Sequence, residues 1–277
     1  MLFLFENLPL TKKTIEKVVG VDYNIVDNKR RRQRMNIAIL LRYTNRGEGG
    51  HWDHIYHMQH DYELMARKYG VGLVAIITEF DAERIVDICD GLILPGSPNM
   101  IHPKHYGKEP TEREQKILDS CIVDEYAYDS KIIDMFVKRG KPIFGICGGF
   151  LALNVFFGGT REFVNENYAH GLPSATERRM HEITIKPGSF VHDVFGKERV
   201  LVNSHHGGGI GRLAEFFEPV AVCDDGVIEA IENREKRVFA TLWHPEQSFH
   251  DGDEIEHKFF ENFLNLCEKT KNERKKL

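Results

Sequence analysis

Cysteine is scarce in this 277-residue chain: there are five, and none lies close to another. Cys89, Cys121, Cys147, Cys223 and Cys267 are odd in number and form no Cys-x-x-Cys pair. Neither a disulfide framework nor a thiolate zinc site is therefore expected, and the reducing cytoplasm is the expected location. Long hydrophobic runs are missing too, since no uninterrupted apolar segment approaches the ~18 residues that would suggest a membrane span. The opening MLFLFENLPL is interrupted by Glu6 and lacks a basic lead-in, which argues against a secretory signal. Positive charge is not in excess, and the formal net charge of −5 gives no protein-wide field for nucleic acid. No repeat or low-complexity tract is present. What remains is the composition of an ordinary globular protein, long enough to bury one large core.

The most informative stretch is Lys141 to Thr160, KPIFGICGGFLALNVFFGGT. Its first part is a short apolar run entered through a proline, which reads as a buried strand. Cys147 follows between Gly145 and Gly149, the G-x-C-x-G spacing of a nucleophile elbow in which a strand turns sharply into a helix. Small flanking residues suit such a crowded turn. The helix starting near Gly148 would aim unpaired N–H groups at the sulfur, where they stabilise negative charge, and one of them could face an oxyanion. The plainer alternative is a core cysteine.

Near the other end, RVFATLWHPEQSF is a second apolar strand, ended by Pro245 and carrying His244 and Glu246. Residues two apart in extended chain point the same way, so the carboxylate can reach the imidazole and fix its tautomer. With Cys147 this supplies nucleophile, base and orienter. Alone, His-Pro-Glu would be no more than a strand-ending turn.

A glycine-flanked cysteine after a strand, followed about a hundred residues later by W-H-P-E, resembles the class I glutamine amidotransferase fold. Within it, LILPGSPNMIHPKHYGKEP, VNSHHGGGI and DGVIEAI look like the γ-glutamyl-γ-aminobutyrate hydrolase branch, peptidase family C26. The resemblance runs from about Met35 to the end of the C-terminal helix. It implies an α/β fold: a doubly wound, mostly parallel, flavodoxin-like sheet flanked by helices, with an added antiparallel strand region. Residues 1–34 would be an N-terminal extension and 35–277 the hydrolase domain.

By the same resemblance Cys147, His244 and Glu246 are catalytic, and Gly96 and Gly148 supply the oxyanion hole. Ser97, Asn203, Ser204 and His206 face the substrate. The implied activity is cysteine-dependent hydrolysis of a small-molecule γ-glutamyl amide through a glutamyl-thioester, with no metal and no organic cofactor. The alternatives are a non-catalytic or partner-dependent amidotransferase-like subunit, or a hydrolase of another small amide. No nucleic-acid or membrane partner is implied, and a homo-oligomer is compatible with the chain. The sequence departs from the family pattern in four places: Gly148 stands for Arg, Leu151 and Gly208 each for Gln, and Leu242 for the Gln before Trp243. Leu151 matters most, because leucine cannot make the polar contacts by which that Gln helps hold a glutamyl group.

Read in order, Thr11 to Val19 suggests a short amphipathic helix, and Lys29 to Arg34 is a basic cluster that reads as a solvated linker. Asn36 to Arg42 and Val71 to Thr78 predict strands around a helix from about Trp52 to Tyr69, the start of a doubly wound sheet. That helix would carry His51, His54, His57 and His60 at three-residue steps. Each step turns about −60°, so the outer pair diverges, and a polar face suits them better than a metal site. A third strand at Gly91 to Pro95 ends at Gly96, and a helical region runs from about Glu112 to Arg139, with the Ile117, Ile122 and Tyr126 stretch read as an insertion or a separate short helix. Thr160 to Arg179 has no clear period and reads as a lid-like loop. Asp225-Gly226 marks a hairpin.

Overall fold

The computed structural model describes residues 35–45, 54–121, 123–164, 170–171 and 179–276. The suggested helix at 11–19, the basic cluster at 29–34 and His51 lie outside them. Strand β1 (Asn36–Leu40) leads into a hairpin of β2 (Arg42–Asn45) and β3 (His54–His57), then helix α1 (His60–Tyr69) and β4 (Gly72–Ile76). Next come α2 (Glu79–Ile85), β5 (Gly91–Leu94), α3 (Glu112–Leu118), α4 (Tyr126–Lys138), β6 (Ile143–Ile146) and α5 (Gly148–Phe156). Then follow β7 (Thr160–Phe163), β8 (Arg179–Ile185), α6 (Phe190–Phe195), β9 (Arg199–Ser204) and β10 (Gly208–Arg212). The chain closes with β11 (Glu218–Cys223), β12 (Ile228–Asn233), β13 (Val238–Thr241), α7 (Ser248–Asp251) and α8 (His257–Arg274).

One nine-stranded sheet has the order β4-β1-β5-β6-β13-β12-β11-β8-β9. The first five strands pair in parallel, and the rest continue as an antiparallel extension. Alternation along the parallel strands sends side chains to two cores. Ile37, Ile39, Ile93, Phe144 and Phe239 pack with α1, α6 and α8, while Ala38, Leu40, Leu92, Leu94 and Val238 pack with α2, α4 and α5. Helix α8 brings Phe259, Phe260 and Phe263 against Phe144. Each such buried ring contributes roughly 1.5–3 kcal/mol of transfer free energy. The order reverses direction around β1, the kind of switch point beside which open α/β sheets hold ligands at their carboxyl ends.

Several expected elements are changed. The helix expected over 52–69 begins only at His60, because Gln59 is extended at φ −65°, ψ 143°. His54 and His57 instead lie on β3, whose residues pair with β2, so the histidine series does not share a helix face. The helical stretch 112–139 is two helices, α3 and α4, in keeping with the separate short helix expected there. The loop expected over 160–179 opens with a true strand, β7, which pairs antiparallel with β10.

Candidate active site

Cys147 follows directly on β6 and sits at the N-terminus of α5 with φ 50° and ψ −103°, a conformation that L-residues adopt only under strain. The surroundings enforce it through close packing. A methyl added at Gly149 would lie 2.1 Å from the Leu94 carbonyl oxygen, and one at Gly145 would lie 2.9 Å from the Gly149 carbonyl. Glycine at both positions lets β5, β6 and α5 approach closely enough to form the turn. Gly149→Ala should therefore cost about 3 kcal/mol of stability, read as a lowered denaturation midpoint, because backbone rather than a pliable side chain blocks the methyl.

His244 arrives from the end of β13. Its Nδ1 lies 2.6 Å from Oε1 of the fully buried Glu246, within hydrogen-bond reach. Asn203 fixes the His244 backbone from both sides, accepting from its N–H at 2.9 Å and donating to its carbonyl at 2.8 Å. Burial alone would lower the imidazole pKa, but the Glu246 carboxylate and the Cys147 sulfur together outweigh it and hold it well above the ordinary value. The imidazole and the thiol meet over Gly96: a Cβ there would be 3.0 Å from His244 Cε1 and 3.5 Å from Cys147 Cβ. Glycine at 96 is what leaves room for both.

Among the described residues, no backbone carbonyl accepts from the N–H of Gly96 or Gly148. The loop carrying Gly96 is held from behind by the buried Arg42, which donates to the Pro95 carbonyl at 2.9 and 3.3 Å and to Asp129 at 2.7 and 3.0 Å. Gly148 also has a packing reason to lack a side chain, since its Cβ would lie 2.6 Å from the Ser97 nitrogen.

The site opens into a cavity of about 750 Å³ whose walls include Cys147, His244, Gly96, Leu151, Arg113 and Arg161. Arg113 and Arg161 both stack on the Phe163 ring, at 4.0 and 4.5 Å. Nη1 of Arg161 is buried without a hydrogen-bond partner. A Cβ on Gly208 would lie 3.0 Å from Arg161 Nη2, so glycine at 208 makes room for this guanidinium.

A family model for peptidase C26 matches residues 37–246. The chain belongs to that family. This C26 chain is 25% identical over 197 residues to γ-glutamyl-γ-aminobutyrate hydrolase PuuD of Escherichia coli strain K12, covering 67% of the chain and 75% of the relative. It is 32% identical over 177 residues to the glutamine-hydrolysing GMP synthase of Brachyspira hyodysenteriae, covering 62% of the chain but only 32% of that enzyme. The solved structure of a glutamine amidotransferase from Thermotoga maritima superposes with a TM-score of 0.52 at 16% identity, over 87% of this chain and 92% of that one. Family membership supports a hydrolase or amidotransferase-like enzyme. No helix among the described residues is long and apolar enough to cross a membrane.

The structure thus brings Cys147, His244, Glu246, Gly96 and Gly148 of the C26 chain to one place. The residues expected to face substrate are placed differently from one another. Ser97 lines the cavity, though its hydroxyl is bonded to Glu125 and accepts from the Asn99 N–H at 3.0 Å. Asn203 holds His244 instead of facing the cavity. Ser204 is buried and donates to the His170 carbonyl at 2.8 Å. His206 reaches the cavity wall, but its ring nitrogens turn toward the Gly208 carbonyl and Glu229. Sequence reasoning missed Arg161 and His205. Arg161 lies in the stretch read as a loop, where a four-residue strand carries too little alternation to be seen. His205 shares a motif with three residues that were singled out, and its carbonyl lies 3.9 Å from the Cys147 sulfur.

Proposed function

We propose that the chain hydrolyses a γ-glutamyl amide through a glutamyl-thioester on Cys147. The observation that carries this reading is the meeting of a strained, cavity-facing thiol with an imidazole already oriented by a buried carboxylate. In the proposed sequence the Cys147 thiol passes its proton to His244 Nε2 as the sulfur attacks the amide carbonyl, and the N–H groups of Gly96 and Gly148 hold the resulting oxyanion. The C–N bond breaks as His244 gives the proton on Nε2 to the departing amine. A water then loses a proton to the same nitrogen and attacks the thioester, and the C–S bond breaks to release glutamate as Nε2 returns that proton to the sulfur. One well-placed oxyanion donor is worth ~3 kcal/mol of barrier, which gives the Arg42 clamp on the Gly96 loop a purpose.

The glutamyl end is assigned to Arg161. Leu151 offers no polar contact, whereas Arg161 lines the cavity wall with an Nη1 that lies 3.7 Å from Glu114 Oε1 but makes no hydrogen bond, and it can bind a carboxylate in charge-assisted fashion. Burial lowers the Arg161 pKa, opposed by Tyr106 and Glu114. Arg161→Met should raise KM for a γ-glutamyl amide about 10- to 100-fold while changing kcat far less, as removal of uniform binding does. Steady-state kinetics on paired γ-glutamyl and plain acyl amides checks it: a KM change of equal size for both would remove Arg161 from carboxylate binding.

The likeness to one-third of a GMP synthase favours a second reading, in which the released ammonia passes to a partner. The discriminating experiment is to assay the isolated chain against a panel of γ-glutamyl amides for stoichiometric glutamate and amine. Steady turnover without any added protein supports simple hydrolysis. Turnover of glutamine alone, and only with a synthetase present, supports the second reading.

A further inference from the structure

Behind the cavity wall, four side chains from separate segments converge. They are His170, His181 on β8, His206 between β9 and β10, and Glu229 at the head of β12, all buried. One ligand atom from each lies within 4.8 Å of all the others. Oε1 of Glu229 is 3.3 Å from His181 Nε2, 3.4 Å from His206 Nε2 and 3.7 Å from His170 Nδ1. These separations are long for charge-assisted hydrogen bonds, which run about 2.7–2.9 Å. The first two match the edge of a tetrahedron around an ion with bonds of ~2.0–2.1 Å, which is about 3.4 Å long, and the third lies slightly beyond it. The rings do not stack in parallel; they meet at 43°, 70° and 82°.

Hydrogen bonding on the far side of two rings decides what these atoms offer. Nε2 of His170 lies 2.8 Å from Asp225 Oδ2, and Nδ1 of His206 lies 3.3 Å from the Gly208 carbonyl. Acceptors at those positions place the ring protons there, so neutral imidazoles turn lone pairs inward toward a carboxylate. His206 Nε2 and Glu229 Oε1 face each other at 3.4 Å without good hydrogen-bond geometry, and Glu229 Oε2 has no hydrogen-bond partner. Converging lone pairs in a buried space repel one another unless a cation sits among them, and a carboxylate or carbonyl behind each ligating imidazole is the usual outer support of a metal site.

We infer that His170, His181, His206 and Glu229 form a binding site for a divalent first-row transition ion, with Zn²⁺ the best fit to three imidazoles and one carboxylate oxygen. Four protein ligands leave no open position, so the ion is structural. It ties β8 and β12 to the turn whose His205 carbonyl faces Cys147, and through Ser204 and the His206 N–H, both bonded to the His170 carbonyl, it secures the segment at His170. The site is independent of the reaction proposed above.

The test uses the full chain, stripped with chelator and titrated with Co²⁺. One equivalent should produce the intense visible bands of four-coordinate Co²⁺, be displaced by Zn²⁺, and raise Tm on either addition. His181→Ala should lose the bands, whereas His60→Ala, altering an exposed histidine, should keep them. Absence of tetrahedral bands in the parent, together with no Tm rise with Zn²⁺, would overturn the site even if the variants fail to fold. Bands that survive in a folded His181→Ala protein would also overturn it, because they would place the ion elsewhere.

Discussion

Cys147→Ala is expected to reduce turnover of a γ-glutamyl amide by at least about 10⁴-fold, as loss of a catalytic nucleophile does in enzymes whose catalytic groups act as a unit. The fold should survive. The side chain is only half-buried, and removing the sulfur leaves untouched the glycine contacts that shape the turn. Near-parent Tm and circular dichroism with abolished turnover would match the account; equal turnover would refute the thioester route. The small residual rate would reflect the oxyanion donors and the cavity acting on water.

Glu246→Gln is expected to lower kcat by about 10²- to 10⁴-fold, and its effect should depend on pH. Burial depresses the His244 pKa, while Glu246 and Cys147 raise it, with a net result well above 6.5. Replacing the carboxylate with an amide removes one raising influence and leaves burial in place, so the imidazolium is lost at a lower pH. Because the imidazolium protonates the leaving amine, the alkaline limb of the kcat profile should move to lower pH. Stability follows the same sign. A raised folded pKa contributes stability that is complete below the unfolded value of about 6.5 and lost as pH rises through the folded value. The Tm advantage of the parent should therefore be largest below pH 6.5 and shrink above it. An unmoved alkaline limb would separate Glu246 from proton transfer.

Much of this arrangement is legible in the sequence because local chemistry dictates it. The apolar run before Cys147 makes a strand buried on both faces, and glycine on either side permits the turn. The Asp225-Gly226 pair closes β11 onto β12, and the His-Pro-Glu box ends β13 beside the elbow strand. What was not legible depends on contacts between distant segments. β7 and β10 are four and five residues long and pair across a long separation, so neither shows a period of its own. The glycine at 208 reads as a departure from the family until Arg161 is seen lying against it. The convergence at Glu229 draws on residues 170, 181, 206 and 229, with no ligand spacing to mark it, and the sequence reading expected no metal. The polar atoms of Asn203 and Ser204 were matched to substrate by resemblance, yet one holds the His244 backbone and the other the carbonyl of His170.

The central claim is that the Cys147 sulfur, beside His244 and facing the cavity, forms the covalent bond to the glutamyl carbonyl. Treatment with a glutamine-like diazo-ketone, followed by peptide mass mapping, tests it most directly. One label per chain, on Cys147, blocked by a γ-glutamyl amide and absent in Cys147→Ala, is the predicted result. An unlabelled Cys147 in protein whose thiol still reacts with a small electrophile, or a label on Cys121, would contradict it.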